Sequence, residues 1–133
     1  MPSVRDLQPS ALWNHFAELN AVPRASKKEE QVIQFMMDFG QHLGLETLKD
    51  KVGNVIIRKP ASNGMENRKT VVLQSHLDMV HQKNNDTTFD FNTQGIEMYI
   101  DGEWVKARGT TLGADNGIGV ATIMSILASK DIA

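Results

Sequence analysis

The sequence predicts an α/β protein in which helices flank a mixed sheet. The run Val71-Val72-Leu73 is continuously apolar, which is typical of a strand buried on both faces of a covered sheet. Elsewhere, segments with apolar residues at helical spacing alternate with short strand-like stretches. These two observations favour one sheet and two helices packed on it, with strands near 45–49, 55–58 and 70–75 and helices near 27–43 and 115–129.

Two helices are predicted in the first third of the chain. The first runs from Pro9 to Asn20, has one apolar face, and offers Ser10 as its N-cap. The second covers about 27–43. Ser26 and Glu29 have the spacing of a capping box, which predicts that Ser26 caps this helix.

The strands are predicted from alternation and from turn residues. In residues 45–49, apolar and polar side chains alternate, and residues 55–58 are mostly β-branched. The polar stretch between these two ranges is predicted to be a turn. Around Asp101-Gly102, a dipeptide favoured in two-residue turns, residues 99–105 are expected to form a hairpin. The polar stretch 81–95 is expected to be a loop, and loops of this length are usually functional or mobile.

Composition narrows the class of protein. With 133 residues the chain is long enough for one domain with a core, and its 41% hydrophobic content is that of a globular protein. A net charge of −2 gives no general attraction to nucleic acid or to an anionic membrane. There is no cysteine, which excludes disulfides and thiol nucleophiles. The absence of an apolar leader or span predicts a cytoplasmic protein.

His76 and Asp78 follow the apolar run directly. Two positions apart on an extended chain, their side chains point to the same face. Open α/β folds place their sites at the carboxyl ends of strands, so His76 is a candidate metal ligand. The simpler alternative is a core or loop histidine without a metal.

A glycine-rich segment, residues 108–119, contains a second candidate ligand, Asp115. Imidazole and carboxylate together suit zinc, with manganese or cobalt as substitutes, and Asp78 would accept the other ring N–H of His76. The alternative for Asp115 is the N-cap of the following helix, a role that does not explain the glycines at 113, 117 and 119. These glycines suggest close backbone packing or unusual φ values beside Asp115. The glycine spacing fits neither common phosphate-binding loop.

The motifs resemble a known family. Residues 75–80, Ser-His-Leu-Asp-Met-Val, and 109–117, Gly-Thr-Thr-Leu-Gly-Ala-Asp-Asn-Gly, resemble the di-zinc metallopeptidases related to aminoacylase, carboxypeptidase G and carnosinase. The stretches 53–60, 64–69 and 82–87 are similar to the aminoacyl-histidine dipeptidase branch of that family. The resemblance covers nearly all of this chain and only the amino-terminal part of such enzymes.

The resemblance implies a zinc-exopeptidase-like fold, incomplete in this chain, and a role for each motif residue. His76 matches a ligand of the first metal, and Asp115 matches the carboxylate that bridges both metals. Asp78 matches an active-site, catalytic carboxylate. In relatives the bond after the bridging aspartate is cis, so a cis peptide is expected at Asp115-Asn116. The last helix is close to Ala133, and residues 1–133 are expected to be the amino-terminal part of a catalytic domain.

The activity implied by the resemblance is hydrolysis of dipeptides, including Xaa-His dipeptides such as carnosine, by a metal-bound water. The full-length enzyme would hold two zinc ions. Its general base, a glutamate, would lie beyond Ala133, together with the other ligands and a lid domain used to form a homodimer. The 133 residues alone would then be inactive. Two alternatives stay open, namely a non-catalytic metal-binding or regulatory module of the same fold and a purely structural α/β domain.

Overall fold

The computed structural model describes residues 2–132, which form a mixed α/β structure. No helix within that range combines the length and the apolar composition needed to cross a membrane. After a short 3-10 helix at Val4–Asp6, the elements are α1 (Ser10–Asn20), α2 (Glu30–His42), β1 (Glu46–Lys49), β2 (Val55–Arg58), β3 (Met98–Asp101), β4 (Trp104–Ala107) and α3 (Ala114–Ala128).

The four strands form two antiparallel hairpins. Strands β1 and β2 pair around a turn in which Asp50 Oδ1 accepts hydrogen bonds from the backbone N–H of Val52 and of Asn54. Strands β3 and β4 pair around Gly102, which has a positive φ of 60°. The predicted strands at 45–49 and 55–58 and the predicted Asp-Gly hairpin are therefore confirmed.

The predicted strand at 70–75 is wrong. These residues belong to no strand, and the apolar side chains that were expected to be buried are exposed, Val72 by 85%. The expected single sheet of three strands is absent from residues 2–132, where the two sheets have two strands each. An apolar run indicates that side chains avoid water, but burial also requires another surface, and none of the described segments covers Val71–Leu73.

The core lies between the helices and the first hairpin. Leu19 of α1, Val32 of α2 and Met124 of α3 are fully buried in one cluster, which also contains Met36 and Val120. Ile57 of β2 packs against this cluster from the sheet side. Helix α1 therefore packs on α3, and α2 covers one face of the β1–β2 hairpin.

Two predicted helix caps are wrong. Pro9 occupies the N-cap position of α1, and Ser10 is already the first residue of the helix. Helix α2 begins at Glu30 instead of 27, because Lys27 has a φ of 73° that no helical turn accommodates. Ser26 therefore cannot cap α2, and its hydroxyl is free to bond to a distant part of the chain.

The exposed run Val71–Leu73 leads to a first prediction. Made alone, the 133-residue chain is expected to self-associate through this apolar surface, because contiguous exposed apolar residues promote contact between molecules. Val72→Lys should shift the chain toward monomer in sedimentation velocity. Val52→Lys is the matched control, because Val52 is also 85% exposed but is isolated in the β1–β2 turn. Equal effects of the two changes would contradict the prediction.

Candidate metal centre

His76 and Asp115 lie side by side although they are 39 positions apart. Nε2 of His76 is 3.1 Å from Oδ1 of Asp115. The Asp115 side chain is 99% exposed, and half of the His76 side chain is accessible as well. Both groups can therefore bind a ligand that arrives from solvent.

Asp78 contacts the other nitrogen of the same imidazole. Its Oδ1 is 3.1 Å from Nδ1 of His76, and its backbone carbonyl is 3.0 Å from that nitrogen. The oxygens of Asp78 can only accept a hydrogen bond, so they favour a proton on Nδ1, and the lone pair of Nε2 would then be available to a metal ion. The outward-facing nitrogen is thus set by a carboxylate behind the ring.

Ser26 holds Asp78 in place. Its hydroxyl is 2.5 Å from Asp78 Oδ2 and 3.1 Å from the backbone carbonyl of Met79. The hydrogen bond from Ser26, assisted by the nearby His76, holds the pKa of Asp78 below its usual range. Sequence reasoning placed Ser26 in a helix cap, and no sequence signal indicated a contact with a residue 52 positions away.

The contact with Asp115 also alters the imidazole. Hydrogen bonding to Asp115, with smaller contributions from Asp78, raises the pKa of His76 above its ordinary value. A metal ion and a proton compete for Nε2, because both use the same lone pair. The negative charges of Asp115 and Asp78 favour the protonated imidazole, and for the same electrostatic reason they favour a divalent cation at this position.

The backbone at Asp115 departs from the helix that follows it. The Asp115-Asn116 peptide bond is cis, as expected, and both residues have non-helical φ and ψ within the range of α3. The capping role considered for Asp115 falls to Asn116, whose Oδ1 accepts from the backbone N–H of Gly119 at 3.0 Å. The carboxylate of Asp115 is left to project into solvent beside His76.

Steric constraints explain why two positions of this segment are glycine. Gly113 has a φ of 76°, and a Cβ there would lie 2.5 Å from Nη2 of Arg24. A Cβ at Gly117 would lie 2.7 Å from the same nitrogen and 2.8 Å from the ring of Phe16. Close packing and an unusual φ, the two explanations that the sequence suggested, therefore both apply.

Arg24 and Asn20 are residues that sequence reasoning missed. Arg24 is 2% exposed and Asn20 is 0% exposed, although polar and charged side chains of this kind are mostly found at the surface. Burial lowers the pKa of Arg24 to about 10, so the guanidinium stays charged at neutral pH. Arg24 lies in the connection after α1, where one arginine gives no pattern that a reader of the sequence could detect.

These residues fit part of a zinc site. Two ligands of one tetrahedral zinc ion are about 3.3–3.6 Å apart, given ligand bonds of about 2.0–2.2 Å, and the observed 3.1 Å requires little adjustment. Within residues 2–132, no group of three His, Cys, Asp or Glu side chains is arranged to hold a metal ion. The described part of the chain therefore supplies two candidate ligands and the partner that orients one of them.

Comparison with known proteins finds several matches, three of which follow in order of decreasing strength. Over 132 residues the chain is 53% identical to the cytosol non-specific dipeptidase of Escherichia coli (strain K12), covering 99% of this chain and 27% of that protein. The crystal structure of aminoacylhistidine dipeptidase from Vibrio alginolyticus matches with a TM-score of 0.96 and 50% identity, over 98% of this chain and 27% of that one. Aminopeptidase PepT from Bacillus cereus ATCC 10987 matches with a TM-score of 0.70 and 25% identity, over 88% of this chain and 31% of that one.

No family model matches the chain. The chain spans 27% of the length of the first two relatives. The similarity therefore concerns about a quarter of those proteins, and it includes the segments that carry His76, Asp78 and Asp115.

Proposed function

We propose that this chain is part of an aminoacylhistidine dipeptidase, and that it contributes half of a zinc centre to such a dipeptide hydrolase; its 53% identity to a cytosol non-specific dipeptidase, over 27% of that protein, supports the proposal. One observation carries the proposal: His76 and Asp115 meet at 3.1 Å on an accessible surface, with Asp78 behind the imidazole. Nothing in a purely structural domain requires an exposed carboxylate and an imidazole to be aligned in this way.

The roles follow from the atoms. His76 would hold one metal ion through Nε2, and the carboxylate of Asp115 would be shared between two ions. Asp78 keeps His76 in the required tautomer, and Ser26 fixes the rotamer of Asp78. Zinc, or cobalt or manganese in its place, would supply Lewis-acid chemistry at the scissile carbonyl and an activated water.

The rest of the enzyme would provide what these residues lack. We place residues 1–133 in the amino-terminal part of a zinc-exopeptidase-like catalytic domain, whose further strands would cover Val71–Leu73. The general base, a glutamate, and the remaining ligands would come from other parts of the chain, and a separate lid domain would form a homodimer. The full-length protein would act in the cytoplasm on unblocked dipeptides, including Xaa-His dipeptides such as carnosine.

The proposal predicts zinc-dependent dipeptide hydrolysis by the full-length protein. After removal of metal with a chelator, carnosine hydrolysis should be lost, and added zinc should restore it. The measurement is the amount of histidine released, quantified by chromatography. An N-acetylated dipeptide is the control that tests whether the substrate must have a free amine. Chelator-treated, metal-free enzyme that retains full activity would contradict the proposal.

A further inference from the structure

Arg24 joins the two segments that carry the candidate ligands. Its Nη1 donates to the backbone carbonyl of Leu77 at 3.1 Å and lies 3.5 Å from that of Asp78. Its Nη2 donates to the carbonyl of Gly113 at 2.8 Å. One planar guanidinium therefore links the segment of His76 and Asp78 to the segment that leads into Asp115.

Asn20 completes this link. Its Oδ1 accepts from Nη2 of Arg24 at 2.7 Å, and its Nδ2 donates to the carbonyl of Leu112 at 3.0 Å. The backbone of Arg24 is also engaged, since its carbonyl accepts from the N–H of Met79 at 2.9 Å. The end of helix α1 and the connection after it thus hold both candidate ligand segments by side chain and by main chain.

Burial of the Arg24 guanidinium costs free energy that a side chain serving only to fill the core would not cost. A buried guanidinium loses its hydration, and here its two terminal nitrogens bond to neutral oxygens while Asp78 acts only as a nearby charge. The buried Nε has no hydrogen-bond partner among residues 2–132. Gly113 and Gly117 have no side chains, and a Cβ at either position would clash with the guanidinium. An apolar side chain of similar volume would fill the same space without these demands.

We propose that Arg24 is a positioning residue that sets the spacing of His76 and Asp115 before metal binds, with Asn20 as its second anchor. The inference rests on the proposed function, because it concerns the same metal centre. Its physical basis is preorganisation: ligands that are already held at the right separation lose less conformational entropy on binding the ion. The two segments also contact each other directly, through Ser75 Oγ to the carbonyl of Asn116 and Thr111 Oγ1 to the carbonyl of Val80. Arg24 adds a buried link between the same segments, to the carbonyls of Leu77 and Gly113.

The test compares variants of the full-length enzyme. Arg24→Met removes every donor of the guanidinium, whereas Arg24→Lys keeps the charge but replaces the planar fork with one nitrogen. Arg58→Lys makes the same chemical change at an exposed arginine. Met36→Ala weakens the core cluster on α2 without removing a hydrogen bond to either ligand segment. Zinc affinity is measured by competition with a chromophoric chelator, well below the melting temperature of each variant.

Both Arg24 variants are expected to bind zinc about 10- to 100-fold more weakly, the usual effect of losing a partner that orients metal ligands. In the metal-free enzyme, amide hydrogen exchange should become faster in peptides covering 76–80 and 110–117. Arg58→Lys should match the wild type in both measurements. Met36→Ala should lower the melting temperature without weakening zinc binding, which separates positioning from general stability.

Wild-type zinc affinity in folded Arg24→Met would overturn the inference, and so would an equal loss of affinity in Met36→Ala. If Arg24→Met does not fold, Arg24→Lys decides by the same measurements. Failure of the proposed function is distinguishable, because the wild-type enzyme itself would then lack zinc-dependent hydrolysis, and both proposals would fall together. A zinc-dependent wild type with unaffected Arg24 variants would reject only the positioning role.

Discussion

Asp115→Asn is expected to abolish dipeptide hydrolysis by the full-length enzyme, with a loss of more than about 100-fold, the upper range for partners that only orient ligands. The substitution removes the negative charge of the carboxylate proposed to bridge both ions, and one amide oxygen cannot replace two anionic oxygens. Because the Asp115 side chain is 99% exposed, the fold should tolerate the change. Zinc content of the purified protein and carnosine turnover are the two measurements.

The matched comparison is Asp78→Asn. Asparagine can still accept from Nδ1 of His76, but it is neutral, so we expect a smaller loss of about 10- to 100-fold. Asp38→Asn makes the same change at an exposed aspartate of α2 and should leave activity unchanged. Normal zinc content and turnover in Asp115→Asn would remove Asp115 from the metal centre.

The second large effect concerns the 133-residue chain by itself. With zinc added, it is expected to show no dipeptide hydrolysis, although it contains His76, Asp78 and Asp115. A catalytic zinc normally has three protein ligands and a water, and the described residues bring together only two candidate ligands. Binding should therefore be weak, and Asp78, the nearby carboxylate, is occupied by His76 and Ser26.

The experiment is an assay of histidine release from carnosine with residues 1–133, with and without zinc. A chelator-treated sample is the negative control, and the full-length enzyme at equal concentration is the positive one. Chelator-sensitive turnover by the short chain near the rate of the full-length enzyme would show that these residues carry their own general base. The division of roles proposed above would then be wrong.

The elements that the sequence predicted well are those that depend on neighbours along the chain. Apolar spacing identified α1 and α2 as helices, although not the start of α2, and Asp101-Gly102 identified a hairpin, since turn geometry depends on a few adjacent residues. The wrong predictions concern sequence patterns that are compatible with more than one local structure. Ser26 and Glu29 have the spacing of a capping box, but Lys27 adopts a positive φ, and the hydroxyl of Ser26 contacts Asp78 instead.

By itself, the sequence determined the chemistry of the candidate ligands and the periodicity of the helices and hairpins, because both are properties of side chains at fixed short spacings. The tertiary structure alone decided that Nε2 of His76 lies 3.1 Å from Asp115 and that Arg24 bridges to Gly113, 89 positions away. It alone also decided that Val72 is exposed. Contacts across such separations depend on how helices and segments pack as a whole, and no local pattern encodes the distance between them.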